Sequence, residues 1–328
     1  MIPARFICNL DCELTWTRRD LLLPRHVAGR AAALSTMLRA LCGPGERLWT
    51  LAPVDPHRVP DALGLPRPTL ESGPVEALPR AERSRWWGRI DEASARANDK
   101  TFAQAIAEDL GEALEGSAGV RSIEEAAAAI ADLDGPWVFK ARHGVSGRNR
   151  VVGEGRLTGD PSQAVKRLLR VHSAGVVQPF RPRIHDLGIT AFAEDGGARD
   201  VEIHTLEVDR HGIFRGIQTH PQIDPEHARR LRRAAAEVAR RLHEIDYRGP
   251  FGIDALIHGD HDATRLCALL EVNARYTFGF VARALSDRLE RPVNLRTGDA
   301  TTWREAQGRG AVALLLPGSD DPTAAWIE

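Results

Sequence analysis

Two β-like segments near residue 260 constrain the fold of this chain more than any other sequence feature. Residues 251–257 read FGIDALI and residues 266–273 read LCALLEVN. The polar segment 258–265 joins them, so the pattern predicts an antiparallel hairpin. The midpoint between Asp254 and Glu271 falls near the centre of that polar segment. We therefore expect the two carboxylates to lie almost opposite each other on neighbouring strands.

Facing carboxylates destabilise a sheet, and a divalent cation would turn their repulsion into coordination. Asn273 lies two residues beyond Glu271, on the same face of the strand, and adds a neutral oxygen ligand. Such oxygens suit Mg²⁺, which uses few protein ligands together with water and phosphates. The alternative is a solvated face whose acids pair with Arg275 or another arginine. The leucine and valine neighbours on both strands favour the metal site.

Lysine is rare in this chain: only three of the 44 lysine and arginine residues are lysines. Lys140 ends the apolar strand 137–140, and the Gly/Ser-containing loop 141–148 follows it. A point-charge cation beside free backbone N–H groups can bind phosphate, although an ordinary surface turn has a similar composition. Lys100 precedes a helix, whereas Lys166 reads as a solvated residue of a polar helix.

A second apolar strand, 176–180, contains a polar residue, Gln178. Asp186 follows eight residues later. This pair could serve the edge of an adenine and the hydroxyls of a ribose. On its own, an aspartate at position 186 is more often a turn or cap residue.

Together these pieces resemble the ATP-grasp superfamily, typified by D-alanine–D-alanine ligase, glutathione synthetase and biotin carboxylase. The resemblance covers residues 95–285, and the D…E-x-N-x-R pattern of the hairpin is its most specific part. It implies an α/β and α+β fold with an N-terminal Rossmann-like domain, 1–97. A lid subdomain, 98–180, and a C-terminal subdomain with the magnesium site, 181–328, would follow.

The resemblance also implies roles for individual residues. The implied magnesium ligands are Asp254, Glu271 and Asn273, and the implied catalytic residues are Arg275 and Lys140. The implied nucleotide contacts are Lys100, Lys140, His143, Gly144, Ser146, Gly147, Gln178, Pro179, Phe180 and Asp186. The chain departs from the family pattern at three places: Gln178 replaces a common glutamate, Ala141 replaces a proline, and the loop is basic rather than glycine-dense.

The activity that the resemblance implies is an ADP-forming carboxylate–amine ligase. ATP would phosphorylate a substrate carboxylate, and an amine would attack the resulting acyl phosphate. The implied cofactors are ATP and two Mg²⁺ ions, for which Mn²⁺ could substitute. The substrates would be small carboxylates and amines such as amino acids or a peptide, and a homodimer would be compatible with the family. Two alternatives stay open: a nucleotide-binding regulatory module without turnover, and a kinase-like transfer to a hydroxyl.

Composition supports a soluble cytoplasmic protein. The formal net charge of −1 argues against a nucleic-acid partner, and no apolar stretch is long enough to span a membrane. Four cysteines without a second zinc-like pair predict reduced thiols, Cys8 and Cys12 included, rather than a disulfide framework or metal centre.

The N-terminal region reads as alternating strands and helices, with strands at 5–10 and 46–53 and a helix at 27–41. The proline-rich segment 53–79 is expected to be loop or edge structure, and residues 81–98 are expected to be helical. The loop with Arg18, Arg19 and Arg25 follows the first strand. It could bind an acidic substrate or could be an exposed turn.

Overall fold

The computed structural model describes residues 5–16, 23–73, 84–144, 149–209, 214–259 and 264–328. The strands in these ranges form one parallel and two antiparallel sheets, with helices packed against them. The predicted fold class is therefore confirmed. No helix within the described ranges is both long enough and apolar enough to cross a membrane.

The first sheet is parallel and comes from the first ninety residues. Its strands are β1 (Arg5–Cys8), β2 (Arg47–Thr50), β3 (Thr69–Ser72) and β4 (Ser84–Trp86), in the spatial order β3-β2-β1-β4. Helices α1 (Cys12–Thr15) and α2 (Arg25–Ser35) follow β1, and single 3₁₀ segments cover Thr36–Leu41 and Pro56–Arg58. The described part of the proline-rich segment is mostly loop, with the 3₁₀ segment Pro56–Arg58 and the edge strand β3, as its composition predicts.

The prediction of one helix over residues 81–98 is wrong in its first half. Residues 84–86 form β4, which pairs with the buried strand β1, and among residues 84–98 only α3 (Glu92–Ala97) is helical. Asp91 caps α3 by accepting a hydrogen bond from the Ser94 N–H. Pairing with β1 satisfies the backbone of residues 84–86, and that pairing makes them a strand.

The second sheet is antiparallel and has its own small core. Its strands are β5 (Ala118–Val120), β6 (Pro136–Ala141), β7 (Arg150–Glu154) and β8 (Gly175–Pro179), in the spatial order β5-β8-β6-β7. Helices α5 (Ile123–Ala131) and α6 (Gly159–His172) cover it. We call residues 118–179 the lid. All members of its buried cluster, including Trp137, Phe139 and Ile130, come from the lid itself.

The third sheet has eight described strands, in the order β13-β12-β9-β10-β11-β14-β16-β15. They are β9 (Arg183–Glu194), β10 (Gly197–Val208), β11 (Phe214–Thr219), β12 (Gly249–Gly259), β13 (Thr264–Asn273), β14 (Asn294–Gly298), β15 (Val312–Leu315) and β16 (Ala324–Ile327). The accompanying helices are α4 (Lys100–Leu110), α7 (Pro225–Glu244), α8 (Phe278–Leu289) and α9 (Ala300–Gly308).

Two larger cores lie outside the lid. In one, α4 and α7 pack on β9, β12 and β13, so α4 belongs with the large sheet although it precedes the lid in sequence. In the other, residues of β1, β2 and the 3₁₀ segment Thr36–Leu41 pack with α8, β14 and β15. The N-terminal sheet and the C-terminal edge of the molecule therefore share a core. The domain boundaries at residues 97 and 180 stay predictions.

Candidate functional site

The hairpin that the sequence predicts is present, and its register places the two acids directly opposite each other. β12 and β13 are antiparallel, and Asp254 pairs with Glu271. The register shifts immediately afterwards, between Asp254 and Leu256. Such an irregularity twists the ladder locally and re-aims side chains. The two carboxylates therefore come from directly opposed positions on adjacent strands.

Lys100 is brought to this acid pair by the start of α4. Asp99 caps the helix by accepting a hydrogen bond from the Thr101 N–H at 2.9 Å. The Lys100 Nζ donates to Glu271 Oε1 at 2.7 Å and to the Gly144 carbonyl at 3.1 Å. Because Gly144 precedes the undescribed part of the lid loop, Lys100 connects the hairpin, α4 and the lid.

Lys140, near the end of β6, supplies the second ammonium group. It makes no hydrogen bond or ion pair with any residue in the described ranges, although electrostatic contributions link it to Glu271 and Asp254. Burial lowers the pKa of Lys140, and Lys100 and Arg183 reinforce that effect. Lys166, by contrast, is exposed on α6, as predicted. A half-buried ammonium group without a partner among the described residues is available for an anionic ligand.

The acid pair responds asymmetrically to this environment. Burial, together with the facing Glu271, raises the pKa of Asp254 to about 6. Burial also opposes ionisation of Glu271, but Lys100 and Lys140 outweigh it and lower the Glu271 pKa. For Lys100, burial is outweighed by Glu271 and Glu13, which raise its pKa. Two facing, half-buried acids repel each other, and a divalent cation would relieve that repulsion.

Asn273 joins the acids to Arg275. Its Nδ2 donates to Asp254 Oδ2 at 3.3 Å, and its Oδ1 accepts from Arg275 Nη2 at 2.9 Å. The second lone pair of that amide oxygen is left for a cation. The oxygen-rich set of Asp254, Glu271 and Asn273 therefore fits Mg²⁺, which needs few protein ligands. Within the described ranges, no cluster of three or more Asp, Glu, His or Cys side chains offers a fuller cage.

Arg275 is held from the N-terminal region by a residue that sequence reasoning missed. Its Nε donates to Glu13 Oε1 at 2.6 Å, and Nη1 donates to the Tyr276 carbonyl at 3.1 Å. Glu13 lies on α1, after the strand whose carboxyl end was the expected ligand side. Residues 17–22, which include Arg18 and Arg19, lie outside the described residues, and Arg25 begins α2. The position after β1 was thus a usable signal for Glu13, and the roles expected for Arg18, Arg19 and Arg25 stay predictions.

Gln178 on β8 is buried and oriented by a second missed residue, Gln104 of α4. The Gln178 Nε2 donates to Gln104 Oε1 at 3.3 Å, and the Gln104 Nε2 donates to Glu108 Oε1 at 2.8 Å. The Gln178 Oε1 is buried and accepts no hydrogen bond from a described residue. Such an unsatisfied buried acceptor indicates a missing donor, such as the amino group of a ligand. No sequence signal links positions 104 and 178.

The remaining predicted nucleotide residues lie around β8 and the lid loop. Pro179 ends β8 and Phe180 is exposed beside it. Asp186 is paired with Arg183 three residues earlier. Burial lowers the pKa of His143 to about 4, and its ring lies 5.8 Å from that of Trp16. Ser146 and Gly147 lie outside the described residues.

No family model matches this sequence. No curated protein matches it in sequence either. Solved structures do match in fold. N5-carboxyaminoimidazole synthetase from Staphylococcus aureus, complexed with ADP, has a TM-score of 0.59 at 10% identity over 99% of this chain and 92% of that one. Phosphoribosylamine–glycine ligase from Thermotoga maritima has a TM-score of 0.57 at 13% identity, covering 100% of this chain and 90% of that one.

A putative ATP-grasp superfamily protein from Archaeoglobus fulgidus has a TM-score of 0.52 at 13% identity, covering 99% of this chain and 98% of that one. Each match spans nearly the whole of both chains. The chain therefore has the ATP-grasp fold, and the resemblance stated from the sequence is confirmed at the level of the fold.

Proposed function

We propose that this protein is an ATP-dependent ligase that joins a carboxylate to an amine and forms ADP and phosphate. The observation that carries the proposal is that two lysine ammonium groups lie close to two facing carboxylates. Lys100 comes from α4, Lys140 from the lid, and Asp254 and Glu271 from the hairpin. The lysines could bind the phosphates of a magnesium–triphosphate complex, and the carboxylates could bind its metal. The ADP bound to the Staphylococcus aureus relative, which has the same fold, supports a nucleotide ligand.

The nucleotide would lie between the lid and the large sheet. Gln178, Pro179 and Phe180 would contact the base, Asp186 the ribose, and Lys100, Lys140 and the 143–147 loop the phosphates. Asp254, Glu271 and Asn273 would hold two Mg²⁺ ions, with Mn²⁺ as a substitute. The metal would supply neutralisation of phosphate charge. A cytoplasmic location and a homodimer stay predictions.

The reaction then needs alignment more than a protein nucleophile. A carboxylate oxygen would attack the γ-phosphorus and break its bond to the β,γ-bridging oxygen, which leaves with ADP. The amine would attack the acyl carbon, lose a proton, and expel phosphate carrying the former carboxylate oxygen. Arg275 would hold the oxygens of the acyl phosphate with its N–H groups that are not bound to Glu13, Asn273 or Tyr276.

An isotope experiment tests the reaction class. ADP release is first screened with ATP, Mg²⁺ and mixtures of carboxylic acids and amines. Once a pair is found, the ¹⁸O-labelled acid is supplied, and the released phosphate is analysed by mass spectrometry. We expect one ¹⁸O atom per phosphate. Unlabelled phosphate would mean simple hydrolysis, and phosphate retained on a hydroxyl product would mean a kinase; either result contradicts the proposal, as does nucleotide binding without turnover.

A further inference from the structure

A cavity of about 250 Å³ adjoins Arg275 and has no role in the nucleotide site described above. One wall comes from β4 and the residues that follow it, including Trp87 and Arg89. The other comes from Tyr247, Pro250 and Tyr276, around the start of β12 and the end of β13. The cavity thus lies between the N-terminal sheet and the large sheet.

The lining of this cavity is cationic and aromatic. Three of its nine described lining residues are arginines, four are Trp or Tyr, and none is acidic. Arg85 is paired with Glu46, and Arg275 with Glu13, so both are held in place. Arg89 is 57% exposed, and its ion pair with Asp91 is long, at 3.4 Å. It is the arginine most easily diverted to a ligand.

We infer that this cavity binds the carboxylate substrate and selects a small acid with a planar or aromatic body. This inference rests on the proposed function. Arginines bind carboxylates through paired N–H groups, and aromatic walls favour a flat ring. The volume suits a single ring rather than a drug-sized molecule. Arg275 lines the cavity and donates to Asn273, which donates to Asp254, so the bound acid would lie beside the proposed phosphate site.

Benzoate and its neutral analogue benzamide test this inference. Titration calorimetry on the full chain should show benzoate binding about tenfold more tightly than benzamide, since a charge-assisted hydrogen bond contributes about 1.5 kcal/mol or more. Arg89→Gln should weaken benzoate binding by about the same factor. The matched control is Arg304→Gln, which changes an exposed arginine of α9 and should have no effect.

Equal affinities for benzoate and benzamide would overturn the inference, as would an unchanged benzoate affinity in Arg89→Gln. Magnesium–ADP binding, measured on the same samples, reports separately on the proposed function. A lack of selectivity for benzoate, together with normal ADP binding, contradicts only the inference about the cavity. Absence of ADP binding contradicts the ligase proposal whatever benzoate does.

A separate observation concerns the buried amide of Gln178. Gln104 and Glu108 are four residues apart on α4, where side chains of one helix face meet. A carboxylate can only accept hydrogen bonds, so the Gln104 end that lies 2.8 Å from Glu108 must be its NH₂ group. The Gln104 carbonyl oxygen must then face the other way, toward Gln178.

The same logic fixes the orientation of Gln178. An oxygen from Gln104 requires the NH₂ group of Gln178 opposite it, at 3.3 Å. The Gln178 carbonyl oxygen is left pointing elsewhere, buried and without a donor from the described residues. Gln104 and Gln178 are 5% and 4% exposed, so water does not easily replace either partner.

We propose that Glu108 and Gln104 are positioning residues that set the base preference of the nucleotide site. By fixing the Gln178 amide, they present an acceptor to the base. An acceptor favours a purine with an amino group at its six-position over one with a carbonyl there, because two facing acceptors leave both unsatisfied. This proposal also rests on nucleotide use.

Binding of ADP and IDP, which differ at that position, tests the arrangement. We expect the wild type to prefer ADP by about tenfold. Gln104→Leu removes the acceptor facing Gln178, lets its amide turn, and should bring the ADP/IDP affinity ratio near one. Asp109→Ala, at the adjacent exposed acid, is the matched control and should leave the ratio unchanged.

An ADP/IDP ratio that survives Gln104→Leu would overturn the positioning role, and so would an equal loss of preference in Asp109→Ala. A wild type that binds both nucleotides equally would also overturn it. Binding of neither nucleotide to the wild type would contradict the proposed function itself. A purely structural role would lower both affinities together and leave their ratio unchanged.

Discussion

Lys140 and Lys166 differ sharply in their surroundings. Lys140 is enclosed near Glu271 and Lys100, and burial lowers its pKa, whereas Lys166 is exposed on α6. Lys140→Ala should therefore weaken magnesium–ATP binding and lower turnover by about 100-fold or more, the scale of one lost electrostatic contact in a transition state. Steady-state kinetics should show Lys166→Ala near wild type. Similar activities for the two variants would remove Lys140 from the site.

Glu271 offers a second test at the level of single residues. In Glu271→Gln the amide oxygen can still accept from Lys100, so the fold should be retained, but one negative metal ligand is lost. Magnesium-dependent turnover should fall by about 100-fold or more. Circular dichroism checks the fold, and a magnesium titration checks the apparent metal affinity. Near-normal turnover with an unchanged magnesium requirement would contradict the assignment of Glu271.

Local counting was enough to pair Asp254 with Glu271, because a hairpin fixes which residues face each other once its turn is located. The same reasoning could not reach Glu13 or Gln104. Glu13 meets Arg275 across 262 positions of sequence, and Gln104 meets Gln178 across 74. These contacts depend on how separate sheets and helices pack against each other, and a local sequence pattern does not predict that packing.

Among the elements, the sequence predicted best where the pattern was long and locally consistent. The hairpin β12–β13 and α4, which ends at the left-handed Gly111, follow the predicted periodicity and capping. The segment 81–98 did not, because its first part is fixed as β4 by pairing with β1. The conformation of residues 84–86 therefore depends on pairing with β1, which is distant in sequence, and not on their own residue pattern.

The packing of β10 against β9 and α8 gives a prediction about pH. His204 of β10 is buried against Gly188 and Gly279, where an added Cβ would lie 2.2 Å and 2.6 Å from ring atoms. Burial lowers the pKa of His204 to about 4. The unfolded chain therefore takes up this proton first as pH falls below about 6.5, and the stability held above that pH is lost progressively toward pH 4.

His204→Leu should remove that acid sensitivity. Between pH 7 and pH 5, the free energy of unfolding of the wild type should fall by about 2 kcal/mol more than that of the variant. Chemical denaturation at both pH values measures this difference. His57→Leu, at an exposed histidine, is the control and should follow the wild type. A variant with the same pH dependence as the wild type would refute the contribution of His204.

At the scale of the whole molecule, the hydrophobic cores define what unfolds together. The N-terminal sheet is joined to the C-terminal strands by a shared core and by Arg58, which donates to the Leu316 and Thr323 carbonyls and pairs with Asp321. The lid has a core made only of its own residues. The lid should therefore open as a separate cooperative unit, while the two other sheets should unfold as one.

Hydrogen exchange measured by mass spectrometry can separate these units. Ile130 of α5 is 2% exposed in the lid core, and its truncation to Ala should cost about 2–5 kcal/mol there. Exchange should accelerate in β5–β8, and the amides of β1–β4 and β9–β16 should keep wild-type rates. Ile106→Ala, the matched truncation in the core beneath α4, should instead accelerate exchange in both the large sheet and the N-terminal sheet, because these two are expected to unfold together. If Ile130→Ala speeds exchange equally in all three sheets, the lid is not an independent unit and shares one cooperative core with the rest of the molecule.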